Sequence, residues 1–113
     1  MNSTSWWSDL LHQKYNKAVR DKIPEIIVKE GKKCKFVTLS DKEFLVEMER
    51  KLSEEVNEYL KSKSENELAD ILEVIRRIAE LKGISKTELE KTRRNKIIER
   101  GEFSKNYFLI EIS

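Results

Sequence analysis

Cysteine, histidine, proline and glycine are all scarce in this sequence. The one cysteine, Cys34, allows neither an intramolecular disulfide nor a multi-cysteine metal site, and it fits a reducing compartment. The one histidine, His12, excludes a histidine-rich zinc site. Three glycines and one proline in 113 residues argue against a loop-rich fold. There is no glycine-rich phosphate loop, so P-loop chemistry is not expected. No apolar run approaches the roughly 20 residues of a membrane span. The N-terminus lacks the basic-then-apolar plan of a secretory signal. A soluble, cytoplasmic protein without membrane contact is the expectation. An excess of one charge sign is missing too. Twenty-three basic residues against 21 acidic ones leave a net charge of +2, which does not predict a nucleic-acid binder.

What is abundant is charge alongside moderate hydrophobicity. Thirty-nine per cent of residues are charged and 38% hydrophobic, the composition of amphipathic helices with solvated faces. The length suits one domain with a modest core. Residues 15–113 are assigned to that domain, and residues 1–14 to an N-terminal extension whose Trp6, Trp7, Leu10 and Leu11 suit a short docking helix.

The chain is organised around Lys51 to Val74, KLSEEVNEYLKSKSENELADILEV. Glu55 and Glu58 form one acidic pair, Glu67 and Asp70 another, each spaced i, i+3 and so neighbours on a helix face. A tight connection near Lys61 to Ser64 predicts two antiparallel helices side by side. At about 100° per residue, Phe44, Leu45, Met48, Leu52, Val56, Tyr59 and Leu60 share an arc of the first helix. Glu55 falls inside that arc, Glu58 at its edge and Glu54 outside it. On the second helix Leu68, Ile71, Leu72, Val74, Ile75, Ile78 and Ala79 make a broad apolar arc, with Glu67 inside it near Val74 and Ile78 and Asp70 at its margin. A carboxylate on a buried face is costly unless something pairs it. A hard divalent cation, Mg²⁺ or Mn²⁺, would offset that cost through oxygen ligands.

Structural explanations compete at two of these positions. Ser64 with Glu67 has capping-box spacing, so Glu67 could serve only the helix start. Glu54 has lysine neighbours at helical spacing, Lys51 and Lys61, and is read as an ordinary surface pair. Neither explanation accounts for Asp70, or for Glu55 on an apolar face.

Elsewhere, Pro24 suits the first turn of a short helix and Gly31 its end. Ahead of it Lys17, Arg20 and Lys22 form either a phosphate clamp or a solvated cluster. Ser40 with Glu43 opens the long helix, and Ser85 with Glu88 opens a last one through about Arg100. Two strand-like pieces, 35–39 and 107–112, are expected to pair as a small two-stranded β element. If the C-terminal piece folds back over the acidic site, Arg94, Lys96, Arg100 and Lys105 would hold a polyphosphate.

EEVNE (Glu54 to Glu58) followed by ELAD (Glu67 to Asp70) resembles the EExxE…ExxD motif of the all-α nucleoside triphosphate pyrophosphatases. That superfamily includes MazG-like enzymes, dimeric dUTPases and phosphoribosyl-ATP pyrophosphohydrolase. YNKAVRDKIPEII, from Tyr15, resembles the opening of a small single-domain house-cleaning branch, and the likeness covers about residues 15–110. It implies a mainly α antiparallel helical bundle. It also implies a divalent-metal site made by Glu55, Glu58, Glu67 and Asp70, the four that the helix arithmetic selects. The implied reaction is hydrolysis between the α- and β-phosphates, giving a nucleoside monophosphate and pyrophosphate. Only eight residues separate Glu58 from Glu67, fewer than in much of the superfamily.

On this reading Glu55 or Glu58 takes a proton from the attacking water. Lys17, Arg20, Lys22 and the C-terminal cations position the outgoing phosphates. Phosphoribosyl-ATP hydrolysis is the alternative substrate choice, and an inactive helical interaction module the alternative of another class. Three long helices would leave an apolar side uncovered, which predicts a homodimer or higher homo-oligomer.

Overall fold

The structure, a computed structural model, describes residues 15–113. The expected docking helix at Trp6 and Trp7 lies outside the described residues. Four helices follow in order: α1 (Ile23–Lys29), α2 (Asp41–Ser62), α3 (Glu65–Leu81) and α4 (Lys86–Arg100). The mainly α architecture is as expected.

Local chemistry sets most of the boundaries. Pro24 sits in the first turn of α1, where its missing N–H costs nothing. At α2 the Ser40 hydroxyl accepts from the Glu43 N–H, and the Glu43 carboxylate accepts from the Ser40 N–H. Ser85 and Glu88 make the same reciprocal box at α4. At the end of α3 the chain reverses through Gly83 at φ 81°, with Ile84 N–H donating to Ala79 at 2.8 Å and Gly83 N–H to Glu80 at 3.0 Å. This paired closure needs a left-handed residue, and glycine takes that conformation without a Cβ clash.

The hairpin of α2 and α3 is the body of the molecule. Only Lys63 and Ser64 join the two helices, and most helix–helix contact lies between them, with a lesser contact of α3 with α4. Among the described residues the buried apolar side chains are Ile23, Met48, Val74 and Ala79. Burying each large one contributes about 1.5–3 kcal/mol. Ile23 opens α1 and is buried. This core is thin. The radius of gyration is 18.3 Å, against about 13 Å for a compact domain of roughly 100 residues.

The two-stranded β element does not form: among the described residues there is no strand. Residues 35–39 and 107–112 lack a ladder partner, and Phe36, Val37, Tyr107, Phe108 and Ile110 face solvent. The β-branched and aromatic content that predicted strands is present. What is absent is the pairing, which a local pattern cannot supply. No helix of the described residues is long and apolar enough to cross a membrane.

Candidate metal centre

The acidic end of the hairpin brings three carboxylates together. One oxygen each from Glu55, Glu67 and Asp70 lies within 4.8 Å of the others. Glu55 comes from the middle of α2, and Glu67 and Asp70 from the first two turns of α3. Glu55 is only 8% exposed, whereas Glu67 and Asp70 are half-buried.

Glu67 is free to face the cluster because the expected capping box at α3 is not made. Ser64 still caps, but its hydroxyl accepts from Asn66 N–H at 3.1 Å. The Ser64 N–H that Glu67 was expected to bond is taken by the Ser62 hydroxyl at 3.1 Å. Glu67 also sits in the first turn of α3, where the helix dipole favours negative charge.

Glu55 is the unusual group. Among the described residues it has no hydrogen-bond partner. Its nearest cation, Lys51 Nζ, stands 3.7 Å away, in ion-pair range but beyond a hydrogen bond. Burial pushes its carboxyl above the ordinary glutamate range. Lys51 pulls the other way, and the negative charges of Asp70, Glu67 and Glu54 add to the rise.

The segment before α1 lies against this end of the hairpin. Arg20 Nη2 donates to Asp70 Oδ1 at 2.7 Å. Lys17 Nζ lies 2.9 Å from Glu54 Oε2 and 5.3 Å from the centre of the Tyr15 ring. Burial alone would raise the Glu54 carboxyl, but the hydrogen bonds and charges of Lys17 and Lys51 outweigh it and hold the group below its ordinary range. The bond to Glu54 raises the Lys17 ammonium in turn. A groove of about 180 Å³ opens between Asn16, Lys17 and Ala18 on one side and Arg50, Lys51 and Glu54 on the other. A roomier groove, about 720 Å³, lies at the α3–α4 corner around Arg76, Ile84 and Leu89. No residue of the acidic cluster lines it.

No family model, curated protein or solved structure matches this chain. Its chemistry is therefore read from its own residues.

The other expected site residues are placed differently. Glu58 is exposed and lies outside the set of three, although its charge is felt at Lys17. Lys22 is exposed at the start of α1 and caps nothing with its side chain. Arg94 Nε donates to Glu90 at 3.0 Å within its own helix. Lys96 and Arg100 are exposed on α4, and Lys105 stands 5.9 Å from the Tyr107 ring centre. Among the described residues, none of these four C-terminal cations forms an ion pair with the cluster. Residues 101–113 form an arm that is exposed throughout and contains neither helix nor strand.

Two contacts beside the site went unread in the sequence. Lys51 was read only as a partner of Glu54, yet its i, i+4 spacing to Glu55 was a usable signal. The Lys17–Glu54 contact joins residues far apart in the chain, and no spacing rule reaches it.

Proposed function

We propose that this chain is a divalent-metal-dependent nucleoside triphosphate pyrophosphohydrolase, cleaving between the α- and β-phosphates to release a nucleoside monophosphate and pyrophosphate. The observation that carries the reading is Glu55: a carboxylate 8% exposed, without a hydrogen-bond partner among the described residues, with Lys51 at 3.7 Å and two more carboxylates beside it. Such a group is expensive to keep charged unless a cation joins it. The donor set is all oxygen, which suits Mg²⁺ or Mn²⁺ and not a thiolate- or imidazole-seeking metal. The likeness of EEVNE…ELAD and VRDKIP to the all-α pyrophosphatases supports the same chemistry.

Glu55, Glu67 and Asp70 are the residues that would hold the ion. Bound there, it supplies charge neutralisation for the phosphates and a more acidic water. Lys17 and Arg20 stand at the rim of the cluster, the side from which a polyphosphate would approach. Glu55 and Glu58 are the two glutamates proposed to accept the proton of the attacking water. House-cleaning of noncanonical nucleotides is the biological setting we infer.

A panel of nucleoside triphosphates with Mg²⁺ or Mn²⁺, read by pyrophosphate release, tests the reading. Glu55→Gln should lower turnover by about 100-fold or more, the usual scale for losing a group that acts in the reaction. Its helical circular dichroism should be unchanged. Metal-dependent turnover that survives in Glu55→Gln rejects the assignment.

The proposal extends to a homodimer. Phe103, Tyr107, Phe108, Leu109, Ile110 and Ile112 are 74–99% exposed. At about 150 Å² or more for each aromatic ring, covering these side chains on both copies would bury an area in the range of stable interfaces, about 1,200–2,000 Å². Light scattering at micromolar concentration should give twice the 13.4 kDa of one chain. A monomeric mass would contradict it.

A further inference from the structure

The segment before α1 acts on the acidic cluster with cations of its own. Lys17 ties it to Glu54 on α2, and Arg20 ties it to Asp70 on α3, so a few residues clip both helices of the hairpin. Ile23, three positions on, is buried. The two ties differ in kind. Glu54 is outside the set of three carboxylates, so Lys17 can stay where it is whatever occupies the cluster. Asp70 is inside the set, so Arg20 already gives the cluster part of the positive charge that a metal ion would bring.

A guanidinium and a divalent ion on the same carboxylate repel one another at close range. The Arg20 side chain is 59% exposed, with room to swing outward while Lys17 keeps its backbone near. Arginine also binds carboxylate and phosphate with the same planar fork of donors. We propose that Arg20 is an exchangeable counterion: it pairs with Asp70 while the cluster holds no metal, and moves to a phosphate oxygen when metal and triphosphate enter together. This rests on the metal-site reading above and adds a regulation to it. Arg20 weakens binding of metal alone and strengthens binding of nucleotide with metal. By linkage, each ligand then tightens the other. Idle metal binding is suppressed, and the site assembles around the substrate.

The test is Mn²⁺ binding to the full chain, followed by the electron paramagnetic resonance of the free ion. It is run with and without a nucleoside triphosphate carrying a methylene bridge between the α- and β-phosphorus atoms. Without nucleotide, Arg20→Gln should bind Mn²⁺ about two- to fivefold more tightly than the parent chain, the scale set by a partly exposed ion pair. The nucleotide should then tighten Mn²⁺ binding less in Arg20→Gln than in the parent. Arg20→Lys should fall between. Damage to the fold would weaken Mn²⁺ binding, so a gain in affinity cannot come from misfolding. Mn²⁺ affinity in Arg20→Gln that equals or falls below that of the parent overturns the exchange and leaves the metal site standing. No Mn²⁺ binding beyond that of the nucleotide itself, in the parent and in Arg20→Gln alike, overturns the metal site, and the exchange with it.

Discussion

Glu55 carries a charge and is 8% exposed; Phe103 carries none and is 99% exposed. The middle of α2 and the arm beyond α4 thus invert the usual sorting of side chains between interior and solvent. At the acidic end the inversion is accompanied by organisation: two helices and the clip of Lys17 and Arg20 converge on it. Along the arm it is not, since among the described residues nothing covers Phe108 or Ile110. A buried charge with neighbours points to a small ionic ligand. An exposed run of apolar side chains points to a macromolecular surface. One short chain thus carries two unmet demands, of different size and sign.

Truncation separates the two regions most strongly. Met48→Ala removes one of the few buried side chains between the helices and should cost about 2–3 kcal/mol in urea unfolding, at the low end for buried methionine because the core is shallow. Phe108→Ala should cost almost nothing when the chain is dilute and progressively more as concentration rises, because association stabilises only when a second copy is present. A concentration-independent loss as large as that of Met48→Ala would erase the contrast, since it would place Phe108 in the fold of a single chain.

A smaller effect sharpens the acidic side. The folded Glu55 carboxyl keeps its proton to higher pH than in the unfolded chain. The native state therefore binds more protons between the two pKa values. The stability this group contributes is fully present below the unfolded value and is lost as pH rises through the folded one. Glu55→Gln has no such loss. Without divalent ions, thermal melts of the two proteins should draw together in acid, and the glutamine variant should melt a few degrees higher near neutrality. Mg²⁺ should narrow or reverse that gap. A parent chain whose melting temperature rises with pH relative to Glu55→Gln would show that the site carries no such cost.

The sequence made the helices legible because their signals are local. The boxes at Ser40 and Ser85 form as the spacing requires, and Gly83 closes α3. The box at Ser64 does not form, because Ser62 is two residues away and takes the Ser64 N–H first. Helical periodicity also placed Glu55 inward, and with it Glu67 and Asp70. It failed for Glu58, which an angle at the edge of the arc leaves on the solvent side. The β element was not legible, since pairing depends on where residues 35–39 and 107–112 lie in space. The basic residues were least legible of all. Arg20 reaches across the chain to Asp70, while Arg94 turns back onto Glu90, and nothing in their spacing distinguishes those fates.

Lys63 has φ 59°, a left-handed backbone on a residue with a Cβ, and with Ser64 it is the entire link between α2 and α3. A link this short leaves no slack. One inserted residue would change where α3 starts relative to α2, and so where Glu67 and Asp70 stand against Glu55. An exposed turn, ordinarily the most forgiving place to lengthen a protein, is here the hub that keeps two acidic arms in phase.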